Sequence, residues 1–179
     1  MEHELKKIST TGIAEALSKA QLYRSLREPE ESESICHDIL DADPENQAAL
    51  RLLGLSITDQ FTGNTTDRYA EAESIFRRLT DPYAQSYHLG LLIERRAKAQ
   101  MHIGRRSYVV VALLEEAMHR FEEAEKIRPA GNDEAILRWN RCVRLLQKLP
   151  HAEPVEAGHG FHDDDLPAVS LPRSSGSRR

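Results

Sequence analysis

The sequence is poor in aromatic residues, glycine and cysteine, and it has no long apolar run. Aromatic side chains make up only 6% of its 179 residues, whereas charged side chains make up 30%. This composition favours helices over a β-sandwich, because the abundant Ala, Leu, Glu and Arg lose little rotamer freedom in a helix. No stretch approaches the roughly 20 apolar residues of a membrane span, and the first residues lack the apolar core of a signal peptide. We therefore expect a cytoplasmic, all-helical protein.

Excess positive charge is also missing. The formal net charge is -5, which argues against a general nucleic-acid-binding protein, since such proteins usually carry a basic surface. The two cysteines, Cys36 and Cys142, occupy apolar positions of helical patterns. We expect buried thiols there, rather than a disulfide or a metal site.

Apolar residues recur at helical spacing between Thr11 and Leu149, with short polar turns between the segments. This pattern predicts seven amphipathic helices, covering approximately residues 12–26, 29–42, 44–60, 68–79, 83–102, 107–127 and 133–149. Ser107 is the expected N-cap of the sixth. Residues 1–10 form an N-terminal arm in this prediction. Residues 150–179 are rich in Pro, Gly and Ser, so we expect a disordered tail that buries too little apolar surface to fold.

The even-numbered helices share an internal repeat. In each, a small residue is followed four positions later by a bulkier one, seven positions later by an apolar one, and then by a proline. The three sets are Ser32, Cys36, Ile39 and Pro44; Ala72, Phe76, Leu79 and Pro82; and Ala117, Phe121, Ala124 and Pro129. Two odd-numbered helices contain the pairs Leu53-Gly54 and Leu89-Gly90. Because glycine inside a helix costs roughly 1 kcal/mol relative to alanine, these glycines indicate close packing between helices.

This pattern resembles the tetratricopeptide repeat (TPR), whose helix pairs use a small residue in the first helix, an alanine in the second and a terminal proline. The resemblance covers residues 11–149 and implies antiparallel helix hairpins stacked as a short right-handed solenoid. The spacing between the small residues of each pair is twelve, eighteen and twenty-seven, from Ala20 to Ser32, Gly54 to Ala72 and Gly90 to Ala117. The family expects twelve. The second hairpin therefore has a longer loop, and the third has extended helices.

The resemblance implies a protein–protein interaction module, an adaptor or scaffold that binds a peptide or helix of another protein in a concave groove. We expect the groove to contain Arg24, Arg51, Leu55, Tyr87, Leu91 and Glu94, joined by Asn140 and Arg144 of the last helix. The arginines make this surface mildly basic, which suits an acidic peptide. The competing interpretation of each residue is ordinary solvated helix surface.

A second cluster of charge lies where the third hairpin turns. This basic tip contains Arg95, Arg96, Lys98, Arg105 and Arg106. It suggests an alternative function, a regulatory factor that contacts nucleic acid or an anionic surface. Solvated helix surface is again the competing interpretation. The apolar residues 109–114 beside the tip are explained by packing or by self-association.

Catalytic motifs are lacking: the chain has no G-x-S-x-G, no phosphate-binding glycine loop and no H-E-x-x-H. We therefore expect no enzymatic activity, no cofactor and no metal. The metal-capable side chains of residues 159–165 lie in the predicted flexible tail, which does not pre-position ligands. The acidic part of that tail, Glu153 to Asp165, is instead a hypothetical ligand for the groove of the same or a neighbouring molecule.

Overall fold

The computed structural model describes residues 3–62 and 66–149, apart from the side chains of residues 66 and 67. These residues form seven α-helices and no β-strand, which confirms the all-helical prediction. The helices are α1 (Ile13–Ser25), α2 (Pro29–Ala42), α3 (Gln47–Asp59), α4 (Thr66–Arg77), α5 (Pro82–His102), α6 (Ser107–Lys126) and α7 (Glu134–Leu146), preceded by a 3-10 turn at Thr10–Gly12. The tail predicted for residues 150–179 lies outside the described residues.

Side chains cap the starts of α3 and α5, whereas α6 begins at the predicted residue without such a cap. α3 begins at Gln47 instead of Pro44, because the Asn46 side chain caps it by accepting a 3.0 Å hydrogen bond from the Ala49 backbone N–H. The prediction of Ser107 as an N-cap is wrong: Arg106 holds that position, and no side chain caps α6. Pro82 opens α5, with Asp81 accepting hydrogen bonds from the first turn.

Each helix packs mainly on its neighbours in the sequence. Additional contacts join α1 to α3, α3 to α5 and α5 to α7, so the odd-numbered helices lie side by side. α5 and α6 are the longest helices and form the largest contact, which agrees with the predicted extension of this hairpin. Among the described residues, no helix combines the length and the apolar character that crossing a membrane requires.

The two helical glycines mark close helix contacts, as predicted. A Cβ atom added at Gly54 in α3 would overlap the ring of Phe76 in α4. A Cβ at Gly90 in α5 would lie 2.8 Å from Cε1 of Phe121 in α6. Since real Cβ atoms do not approach a ring so closely, only glycine fits with both rings in these positions. The glycine–phenylalanine contact is thus a packing unit that occurs twice.

Two buried clusters form the interior. The first core joins α1–α4 and one side of α5, and contains Cys36, Leu50, Leu53, Ile57, Phe76 and Leu92. The second core joins α5, α6 and α7, and contains Tyr87, Leu91, Leu114, Phe121 and Cys142. Both cysteines are free and buried, as predicted, and burial raises the pKa of each thiol to about 12.

Candidate functional site

The odd-numbered helices enclose a concave cavity of about 480 Å³, here called the inner cavity. Apolar groups form much of its wall: Leu55, Tyr83, Ala84, Tyr87, Leu91 and Pro129. The polar and charged groups are Arg24, Arg51, Asp81, His88, Arg95, Asn132, Glu134 and Arg138. Eight of the fourteen lining residues are polar or charged, so the wall is mixed, and its concave shape is the feature that it shares with sites that bind another molecule.

Five of the eight residues predicted for the groove meet in the inner cavity, namely Arg24, Arg51, Leu55, Tyr87 and Leu91. Three do not. Glu94 is wholly buried, so its predicted position in the groove is wrong. Asn140 is half-buried and does not line this cavity, whereas Arg144 lies exposed on α7.

Glu94 is a fully buried carboxylate held between two cations. Lys98, one turn along α5, pairs with Oε1, and Arg138 Nη1 of α7 lies 3.5 Å from Oε2. Neither oxygen accepts a hydrogen bond of good geometry from the described residues, so the compensation is mainly Coulombic. Burial opposes the charge of Arg138, but a hydrogen bond with Tyr87 and the charge of Glu94 together raise the pKa of its guanidinium.

A second ionic contact fixes the opposite side of the inner cavity. Asp59 at the end of α3 accepts a 2.6 Å hydrogen bond from Arg24 Nε of α1 and lies 2.5 Å from Arg95 Nη1 of α5. Arg95 also donates to the Leu55 carbonyl oxygen at 3.1 Å. One carboxylate thus joins three odd-numbered helices. Sequence reasoning assigned Arg95 to the basic tip, although its position four residues after Leu91 places it on the cavity side of α5.

The predicted basic tip is not one surface. Arg95 binds Asp59, Lys98 pairs with Glu94, and the Arg96 guanidinium lies 4.7 Å from the centre of the Tyr69 ring. Arg105 and Arg106 are exposed at the turn between α5 and α6. Three of the five positive charges therefore form contacts with α3, α4 or another residue of α5. The charge run in the sequence could not reveal this structural role.

The inner cavity is nearly balanced in charge. Its four arginines face four acids: Asp81 and Glu134 line the wall, while Asp59 and Glu94 pair with the arginines. Within the described part of the chain, Arg51 is the cavity arginine without an ion pair. The neighbouring His88 is uncharged near neutral pH, because burial lowers the pKa of its imidazole to about 4.

Glu33, His37 and Glu71 bring three potential metal-ligand atoms within 4.8 Å of one another. The Arg68 guanidinium already bridges the two carboxylates, lying 2.7 Å from Glu33 and 2.8 Å from Glu71. Burial opposes the charge of Glu33, yet hydrogen bonds from Arg68 and Gln60 lower the pKa of its carboxyl group overall. The arrangement is explained as an ion-pair network between α2 and α4.

Comparison with known proteins adds no relative. No family model matches the chain, and no curated protein or solved structure matches it either. What the inner cavity does must therefore be inferred from its own residues and geometry.

Proposed function

We propose that this protein is an adaptor or scaffold, built as a short TPR-like solenoid, that binds a peptide or helical segment of another protein in the inner cavity. The observation that carries the proposal is the meeting of Arg51, Tyr87 and Leu91 at one concave surface. Tyrosine and arginine are enriched among residues that dominate binding energies at protein interfaces. The proposal includes a cytoplasmic location and no catalytic role.

The chemistry of the cavity defines the segment that fits. Leu55 offers partly exposed apolar surface beside the edge of the Tyr87 ring, which is 8% exposed, while Arg51 offers an exposed guanidinium free to pair with a carboxylate. Because the other cavity arginines are paired, we expect a segment with one or two acids beside an apolar anchor. A long run of acids fits less well, since Asp81 and Glu134 would repel it.

The test begins with selecting peptides from a random library on the immobilised full chain. Affinities for the selected peptides are then measured by fluorescence anisotropy. We expect Leu55→Ala and Arg51→Glu each to weaken binding by about tenfold or more, which corresponds to about 1.4 kcal/mol. Circular dichroism and thermal unfolding check that both variants keep the fold.

The matched control is Arg105→Glu with Arg106→Glu, which reverses exposed arginines away from the cavity. Unchanged affinity in this control, with loss in the cavity variants, supports the proposal. Peptides that bind the cavity variants as tightly as the wild type contradict it. Loss of binding in the control alone would favour the turn between α5 and α6 as the binding surface.

A further inference from the structure

The outer face of α7 carries positive charge with no ionic partner among the described residues. Arg141, Arg144 and Lys148 are exposed and recur at spacings of three and four, so they lie on one side of the helix and its final turn. Leu137 lies on the same side and is 65% exposed. We call these four residues the α7 face.

Most arginines elsewhere in the described chain are paired with acids. Arg24, Arg68, Arg77, Arg78, Arg95, Arg120, Arg128 and Arg138 all lie in ion pairs. No described acid pairs with Arg141, Arg144 or Lys148. α7 is also the last described helix and packs on α6 and α5, so no other described helix covers the α7 face.

We propose that the acidic segment 153–165 of this same chain docks on the α7 face. The segment contains five acids, Glu153, Glu156, Asp163, Asp164 and Asp165, and no lysine or arginine. Val155 and Phe161 supply apolar side chains to cover Leu137. The acids of the segment attract the cations of α7. Because a short tether joins the segment to α7, the contact is intramolecular, with an effective concentration of roughly millimolar or above.

The length of the connection suits this contact. Only three residues separate Leu149, the last described residue, from Glu153. α7 has 13 residues and is therefore about 20 Å long, which roughly six extended residues can span. A chain that turns back after residue 150 thus brings all five acids within reach of the α7 cations.

The inner cavity is a poorer partner for this segment. The charge of its arginines is already offset by Asp59, Asp81, Glu94 and Glu134, whereas the three cations of the α7 face form no ion pair with a described acid. Docking on α7 replaces the groove docking expected from the sequence. It also leaves the cavity open, so this contact and peptide binding in the cavity are independent.

Paramagnetic broadening in NMR spectra tests the contact in the full chain. A nitroxide is attached at Gly160→Cys; the native thiols are buried, with their pKa raised to about 12, so they resist labelling. We expect broadening of the Leu137 and Arg141 amide signals at low salt. It should be lost at about 1 M salt, where the Debye length is about 3 Å.

Reversing the charges of the α7 face is the control, because it distinguishes a docked segment from one that is close to α7 only through its covalent connection. Substituting Arg141→Glu, Arg144→Glu and Lys148→Glu should abolish the broadening at Leu137 while circular dichroism shows an intact fold. Reversing the five tail acids to lysine in that variant should restore it. Broadening that survives the first reversal, or is not restored by the second, overturns the proposal. Broadening of the Arg51 and Tyr87 signals instead of the Leu137 and Arg141 signals also overturns it. The same is true if a labelled molecule broadens the signals of an unlabelled one, since the contact would then be intermolecular.

Discussion

The two cores share a packing unit but differ in the polar groups that they bury. Both contain a helical glycine against a phenylalanine ring, Gly54 with Phe76 and Gly90 with Phe121. The first core is bordered by a neutral pair, in which the Ser56 hydroxyl donates to Ser32 at 2.8 Å. The second is bordered by the ionised side chains around Glu94.

The apolar packing is therefore the part of the fold that repeats, whereas the buried polar contacts differ between the two cores. A buried hydroxyl pair needs only one hydrogen bond. A buried carboxylate needs nearby cations, because an uncompensated charge in a dry interior is costly. His88 lies between the two cores, with its ring centre 5.2 Å from that of Phe76 in the first core and 5.1 Å from that of Tyr87 in the second.

The largest effect should come from removing the cations of the second core. In Lys98→Met with Arg138→Met, Glu94 stays buried without compensation, and we expect a loss of about 3–5 kcal/mol in the free energy of unfolding. Denaturant titration measures it. Adding Glu94→Gln should recover much of the loss. A double variant as stable as the wild type would show that the carboxylate is compensated in another way.

His88, which lies between the two cores, should make the free energy of unfolding depend on pH. The folded-state pKa of His88 is about 4, below the usual value of 6.5, so the unfolded chain takes up its proton first as the pH falls. Stability is therefore present above pH 6.5 and is lost between pH 6.5 and 4, by up to about 3 kcal/mol.

Unfolding curves at several pH values test this, with His88→Gln as the matched variant. Glutamine does not titrate, yet its amide can replace the 2.6 Å hydrogen bond from Nδ1 to the Ala84 carbonyl oxygen. The wild type should lose more stability than His88→Gln in this window. Parallel curves would assign the pH dependence to other groups.

The smallest changes in the free energy of unfolding should come from replacing the two helical glycines with alanine. Gly54→Ala should cost about 1–2 kcal/mol, because overlap with Phe76 outweighs the gain in helix propensity. Gly90→Ala should cost less, since its Cβ would meet Phe121 at 2.8 Å and overlap less severely. Thermal unfolding measures both. Phe76→Leu should lessen the loss of stability caused by Gly54→Ala. Equal losses at the two glycines would show that the loss does not follow the overlap between the added Cβ atom and the phenylalanine ring.

Local pattern was enough to predict much of the fold. The seven helices, the close approach at Gly54 and Gly90 and the burial of Cys36 and Cys142 all follow from spacing along one helix. The start of α3 was missed because Pro44 is a good first helical residue, yet the Asn46 cap competes two residues later.

The candidate site was predicted only in part. Helical spacing placed Arg51, Tyr87 and Leu91 on one side of their helices, and the structure brings them to the same cavity. The same spacing could not show that Glu94, three residues beyond Leu91, turns into the interior. That depends on Arg138, which is 44 residues away in the sequence and reaches Glu94 only because α7 packs beside α5.

Apolar periodicity and charge pairing thus shape this protein at two levels. The helices, their apolar sides and the glycines between them follow from the sequence alone, because these features depend on periodicity within a dozen residues. How the helices pack settles which charges form ion pairs among the described residues, as with Arg95 and Lys98, and which are left for other partners, as with Arg51 and the α7 face. Ion pairing between distant segments follows from how the helices stack, and no local pattern encodes it.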